Sequence, residues 1–329
     1  MKNKYISCIA VFLMICCIFS GCRISESNDY NTQNEKINVA VLKGPTGIGM
    51  LKLMQNSEDN SAKTINSISL YNEPSEIAAK LSNNEIDIAA LPTNMAASLY
   101  AKTNHSIKML NVNTLGTLYV VSTNENINSF EKLKGNKLYM AGKGSTPEYV
   151  LQYLLEKNNI SKDDVNIEYK SNHSEVLTLL LAGQIETAVL PEPFATQAVM
   201  YGENISKVLD INEEWEKISD NGSILAMGCL VARNEFIENN KEALNDFLSD
   251  YEGSVSFANS DIESTAVLAD KYGIMPYDVA KLSIPSCGMV YITSDNMINK
   301  TDEFFKVLYG YDPKSIGGVL PDKEFYYEG

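Results

Sequence analysis

From Ile37 onward the chain alternates short apolar runs with amphipathic stretches. Ile37–Leu42, Ser67–Leu70, Ile86–Leu91 and Ile107–Val112 read as strands, and Ile48–Gln55, Pro74–Ser82 and Asn94–Lys102 as the helices between them. A second series repeats the pattern, with strands near Leu138–Ala141, Val165–Tyr169 and Thr187–Leu190. Its helices fall near Pro147–Lys157, Ser174–Ala182 and Phe194–Tyr201. Strands alternating with helices of this length predict an α/β fold, with mainly parallel sheets flanked by helices.

The two series are copies of one plan. Lys43-Gly44-Pro45-Thr46 recurs as Lys143-Gly144-Ser145-Thr146, each time after a strand and before a helix. Glu85-Ile86-Asp87-Ile88-Ala89-Ala90-Leu91-Pro92 recurs as Gln184-Ile185-Glu186-Thr187-Ala188-Val189-Leu190-Pro191. Both matches keep the same order at an offset of about a hundred residues, too long for a solenoid and right for duplicated lobes. Leu118–Thr123 and Ile224–Val231 read as the strands that carry the chain to the second lobe and back. The tail then reads as helices Lys241–Phe257, Ile262–Tyr272, Tyr277–Leu282 and Ser294–Leu308, without further strands, on the outside of the first lobe. The expected division is lobe 1 over residues 37–120 and 224–329, and lobe 2 over 121–223.

The N-terminus stands apart from this plan. Lys2 and Lys4 precede a nearly unbroken apolar run, Ile6 to Phe19, too short for a membrane span and suited to a secretory signal. The run ends in Phe19-Ser20-Gly21-Cys22. This resembles the bacterial lipobox, with Phe19 where Leu is usual, and implies a signal peptide over 1–21 and lipidation of Cys22. Residues 22–36 are polar, rich in Ser, Asn and Glu, and read as a tether. The expected location is the outer face of the cytoplasmic membrane, held by the lipid.

Composition narrows the chemistry. The chain has 329 residues, 44% of them hydrophobic, and a formal charge of −15. Acidic residues are spread along it, which argues against nucleic acid, whose phosphates need a basic surface. Of six cysteines, only Cys229 and Cys287 belong to the body, with no spacing for a metal. His105 and His173 are the two histidines, and no nucleophile–base order or paired-carboxylate motif accompanies them. Gly44-Pro45-Thr46-Gly47-Ile48-Gly49 lacks the ending of a nucleotide-binding P-loop. No cofactor is expected.

The strand ending in Lys43-Gly44-Pro45-Thr46-Gly47, the steps Leu91-Pro92-Thr93-Asn94-Met95-Ala96 and Leu190-Pro191-Glu192-Pro193-Phe194, and the return strand Ile224–Val231 together resemble the type 2 periplasmic-binding fold. They are most similar to the branch of nitrate, taurine, aliphatic sulfonate and thiamine-precursor binding proteins of bacterial importers. The resemblance covers nearly the whole mature chain and implies a monomeric solute-binding lipoprotein that delivers a small organic solute to an ABC permease by lobe closure. An enzyme on the same fold, of thiamine-pyrimidine synthase or menaquinone-pathway type, and a solute sensor for a membrane receptor are the alternatives. The synthase would need a reactive histidine and a cysteine-rich motif absent here.

In such a fold ligands bind beyond the carboxyl ends of the strands, between the lobes. The residues expected there are Gly44, Pro45, Thr46 and Gly47, then Tyr71 and Asn72, Thr93 and Asn94, Gly142, Gly144, Ser145 and Thr146, and Glu192. The glycines would let backbone N–H groups approach an acceptor, and Thr46, Ser145 and Thr146 would add hydroxyls. Tyr71 and Asn72 could supply a flat wall and an amide. Glu192 would hold a cationic or donor group such as an amine or aminopyrimidine. Arg233 is the only arginine outside the tether, so no arginine clamp for a strong anion is expected, although Lys43 or Lys143 with the helix starts could hold a sulfonate.

Overall fold

The first strand, β1 (Ile37–Leu42), is buried at every position except Asn38. A strand covered on both faces reads as a continuous apolar run, and that is the property from which the helical layers on either side follow. The computed structural model of the chain describes residues 36–62, 64–219 and 222–329; the expected signal segment, Cys22 and most of the tether lie outside them.

β1 leads through α1 (Pro45–Ile48) and α2 (Leu51–Glu58) to β2 (Ile65–Tyr71). The chain continues through α3 (Pro74–Ser82), β3 (Ile88–Pro92) and α4 (Thr93–Lys102) to β4 (Ile107–Thr114). It then crosses to β5 (Leu118–Ser122), β6 (Lys137–Ala141), α5 (Thr146–Lys157) and β7 (Asn166–Lys170). The second lobe is completed by α6 (His173–Leu181), β8 (Thr187–Pro191), α7 (Phe194–Tyr201), β9 (Ser206–Asp210) and α8 (Ile211–Ile218). The return runs through β10 (Gly228–Arg233), α9 (Asn234–Asn239), α10 (Lys241–Ser260), α11 (Ile262–Lys271), α12 (Tyr277–Ser283), β11 (Met289–Ile292) and α13 (Ser294–Tyr311).

The strand orders are β11-β4-β10-β3-β1-β2 and β7-β6-β8-β5-β9. Without the edge strand β11, they are the same arrangement read in opposite directions: β4-β10-β3-β1-β2 matches β9-β5-β8-β6-β7. The repeat seen in the sequence is therefore a repeat of topology. β1 runs parallel to β2 and β3, and β6 runs parallel to β7 and β8. The crossing strands run against their neighbours, β10 antiparallel to β3 and β4, and β5 antiparallel to β8 and β9. Both sheets are thus mixed, because a strand arriving from the other lobe enters at the carboxyl edge and runs backwards.

β5 lies wholly in the second sheet, so the passage between sheets is Leu115–Thr117, slightly ahead of the boundary expected at residue 120. The tail differs from its expected all-helical character, since β11 adds an irregularly paired edge strand to β4. Four residues are too few to show a period. Trp215 lies between the second lobe and the tail helix. It is fully buried, with Tyr153 of α5 at 5.0 Å and Phe304 of α13 at 6.2 Å between ring centroids. Cys229 and Cys287 are both buried and free.

Candidate functional site

The two sheets meet at their carboxyl ends. At the end of β3, Pro92 pairs with Gly228 and the Thr93 N–H donates to Met227 O at 3.2 Å. At the end of β8, Pro191 pairs with Leu118 and the Glu192 N–H donates to Thr117 O at 2.9 Å. Both strand ends therefore abut the two crossing segments, and each sheet turns toward the other the edge at which open α/β sheets bind ligands.

The twin turns lie at these ends. Gly44 has φ +117° and Gly144 has φ +74°, and a Cβ on either would meet open space. Here glycine is required by the backbone conformation, not by crowding. Gly142 is also left-handed, and the Ser145 hydroxyl donates to its carbonyl, closing the turn. Thr146 begins α5 with its hydroxyl buried and without a hydrogen-bond partner among the described residues. In the first lobe Pro45 begins α1, and the Thr46 hydroxyl points back to Leu42 O at 3.4 Å. The Thr46 methyl packs on Gly228, where an added Cβ would lie 2.7 Å from it. Gly47 is a packing glycine, since a Cβ there would stand 2.7 Å from Leu42 O. Tyr71 is half-buried with Lys80 Nζ 6.0 Å from its ring centre, and Asn72 beside it is exposed. Their backbone adjoins the Gly44 turn, because the Lys43 N–H donates to Tyr71 O at 2.9 Å.

Three expected contacts have partners inside the protein. The Glu192 side chain is fully buried; one oxygen accepts the Thr196 N–H at 3.2 Å, and the other is paired with Lys207. Lys207 also reaches Thr196 Oγ1 at 3.1 Å and Ser286 Oγ at 3.3 Å, and lies 4.5 Å from the Tyr119 ring centre. The cation expected of a solute is thus supplied by the chain itself. Asn94 turns its amide to Ser315 O at 3.4 Å. The Gly144 N–H donates to Glu148 at 2.5 Å, and Glu148 also accepts from the Tyr169 hydroxyl at 2.6 Å and from Gln152 at 2.9 Å. That N–H is consequently not free for a solute. Burial and the Glu148 carboxylate raise the pKa of the Tyr169 phenol, which stays protonated as a donor. Thr93 is fully buried beside the Cys229 thiol, whose pKa burial pushes up to about 12.

His173 opens α6 at the end of β7. Its Nδ1 is buried and has no partner among the described residues, and its ring lies 5.7 Å from that of Phe194 at the start of α7. Burial lowers its pKa, so the imidazole is neutral at physiological pH. Its position at a strand end, like that of the glycine turns, was the available signal. Arg233 lies at the opposite end of the first sheet, paired with Asp87 at 2.6 Å.

A family model described as "ABC transporter, phosphonate, periplasmic substrate-binding protein" matches residues 66–283. Among solved structures, an ABC transporter protein from Parabacteroides distasonis is 26% identical, with 89% of this chain and 99% of that chain covered and a TM-score of 0.74. The aliphatic sulphonate binding protein SsuA from Escherichia coli shares the fold at 15% identity, covering 89% of this chain and 92% of its own with a TM-score of 0.71. The nitrate-binding protein NrtA from Synechocystis PCC 6803 does so at 12% identity, 74% and 68% coverage and a TM-score of 0.53. No curated protein sequence matches the chain. With the model spanning most of both lobes, the chain belongs to the family of phosphonate-type periplasmic substrate-binding proteins of ABC transporters.

Proposed function

We propose that the chain, the extracytoplasmic substrate-binding component of an ABC importer, captures a small organic oxyanion of phosphonate or sulfonate type and is held at the membrane by a lipid on Cys22. The solute binds between the lobes, and their closure presents it to the permease. The observation that carries the solute class is Thr146: a buried hydroxyl with no partner among the described residues, at the start of α5 and beside the glycine turn. A hydroxyl at a helix N-terminus is a donor suited to oxygen ligands. The amine alternative rested on Glu192, whose carboxylate is matched by Lys207.

The test is a thermal-shift series with methylphosphonate, ethanesulfonate, nitrate and an aminopyrimidine. A ligand at about a hundred times its dissociation constant adds roughly 2.7 kcal/mol of stability. The expected result is stabilisation by methylphosphonate or ethanesulfonate, weakened about tenfold or more in affinity by Thr146→Val. Stabilisation by the aminopyrimidine alone would overturn the solute class. Anchoring is checked separately by mass spectrometry of the membrane-extracted protein, where a diacylglyceryl mass on Cys22, lost in Cys22→Ser, is expected.

A further inference from the structure

The solute-facing helix starts of the two lobes, α4 in the first and α5 in the second, are linked by a short piece of the C-terminal tail. On the side of the second lobe, the Tyr149 hydroxyl, one turn into α5, reaches Asp312 Oδ2 at 3.3 Å. The rings of Tyr149 and Tyr311 are stacked at 6.0 Å with an interplanar angle of 6°. Tyr311 donates to Glu156 at 2.9 Å, and Tyr153 bonds Glu303. On the side of the first lobe, Asn94, the second residue of α4, donates to Ser315 O. Gly317 follows with φ +87°, and a Cβ there would lie 2.7 Å from Ala101 Cβ, so the tail is pressed onto α4. The Tyr100 hydroxyl then holds Asp322 at 2.6 Å, and Tyr327 N–H bonds Met109 O of β4 at 2.9 Å.

Asp312 sits between these attachments. Its Oδ2 takes Tyr149, while its Oδ1 accepts the Lys314 N–H at 3.0 Å and so forms the turn Pro313–Ile316 that carries Ser315 to Asn94. We propose that Asp312 and Tyr149 are positioning residues: they fix the start of α5 against the start of α4 and thereby set the width of the cleft without touching solute. Besides the crossing segments, Lys207 and Tyr119 meet Ser286, and Trp215 meets Phe304, across the lobes. In this strap of tail the Tyr149–Asp312 bond is the attachment that reaches the start of α5, so a motion that parts the starts of α5 and α4 has to stretch or slide either that bond or the Asn94–Ser315 bond. The relevance to solute rests on the function proposed above, whereas the effect on lobe geometry does not.

The experiment measures the distance between spin labels on cysteines introduced at Ser82 of α3 and Lys162, both exposed and in different lobes, in a chain carrying Cys8→Ser, Cys16→Ser, Cys17→Ser and Cys22→Ser, without solute. Cys229 and Cys287 are buried and do not compete for label. Tyr149→Phe keeps the ring stack and removes only the hydroxyl; Asp312→Asn keeps the Oδ1 acceptor for Lys314. With Tyr149→Phe the distance distribution is expected to broaden or shift by a few ångströms, with little change in melting temperature. Asp312→Asn, which can still pair with the phenol through its amide, is expected to shift it less. An unchanged distribution in both variants, with only the melting temperature lowered, would show that these contacts serve stability alone and would overturn the inference. Thr146→Val separates the two readings. If it leaves methylphosphonate affinity intact while Tyr149→Phe moves the lobes, the solute assignment falls and the strap stands.

Discussion

The two lobes share a strand order but treat their helix N-termini differently. In the second lobe each helix start at the cleft edge is met by a carboxylate of the chain. Glu148 binds the Gly144 N–H before α5, Glu175 binds the Ser171 N–H before α6, and Glu192 binds the Thr196 N–H in α7. In the first lobe α4 has no side-chain cap and no acidic residue in its first turn. A helix start has partial positive charge and unpaired N–H groups, and a carboxylate placed there uses both. The duplicated plan thus yields one lobe with an uncapped helix start and one lobe whose starts are each met by a carboxylate, with the Thr146 hydroxyl left unpartnered among the described residues. Similar turns in sequence do not imply similar electrostatics.

The largest test of this contrast is Glu192→Ala. It strands Lys207 beside a buried N–H, and breaking a buried pair costs about 3 kcal/mol or more, the lower end applying because Lys207 is partly exposed. Urea denaturation reads the loss, and a cost under about 1 kcal/mol would reduce the pair to an ordinary surface contact. Next come the glycines. Gly44→Ala and Gly144→Ala each place a side chain at positive φ in open space, so both are expected to cost about 1–2 kcal/mol. Gly228→Ala adds contacts of 2.7 Å to Asn113 Oδ1 and the Thr46 methyl and is expected to cost more than either.

Reciprocal charge changes sharpen the comparison further. Glu148→Gln is expected to strengthen methylphosphonate binding a fewfold by lifting negative charge from the start of α5. Asn94→Asp is expected to weaken it by adding charge at the start of α4, with calorimetry as the readout for both. If both changes act alike, the contrast between the lobes is without consequence for binding. The smallest effect concerns pH. Burial lowers the His173 pKa from 6.5, so the unfolded chain binds the proton more readily than the folded one. The resulting stability is present above about pH 6.5 and is lost as pH falls below it, toward the folded value. Subtracting the melting-temperature change between pH 7.5 and 5.5 in His173→Gln from that of the parent isolates this contribution, expected to be positive.

Much of the architecture was legible. Doubly covered strands announce themselves as unbroken apolar runs, and α3 and α7 fall at Pro74–Ser82 and Phe194–Tyr201, the spans their periodicity gives. The repeat pointed to the glycine turns and the Leu-Pro steps at matching strand ends. Side-chain direction was not legible. Asn94 answers to a carbonyl 221 positions away, and Glu192 to a lysine on a strand with too little alternation to be recognised. Local patterns report burial and period, while partners brought together by the crossing of two lobes leave no mark in either. The same holds for β9 and β11, edge strands whose few residues take their conformation from neighbours.

The position of β10 has a consequence for the order in which the molecule is made. The second sheet is contiguous in the chain, from Leu118 to Asp210, whereas the first sheet needs β10 as a central strand between β3 and β4. A chain emerging from its N-terminus can therefore complete the second lobe while the first still lacks its middle. Domains fold as units as they emerge. The lobe that begins first finishes last: β1, β2 and β3 can pair among themselves, but until Gly228–Arg233 arrives nothing joins β4 to them.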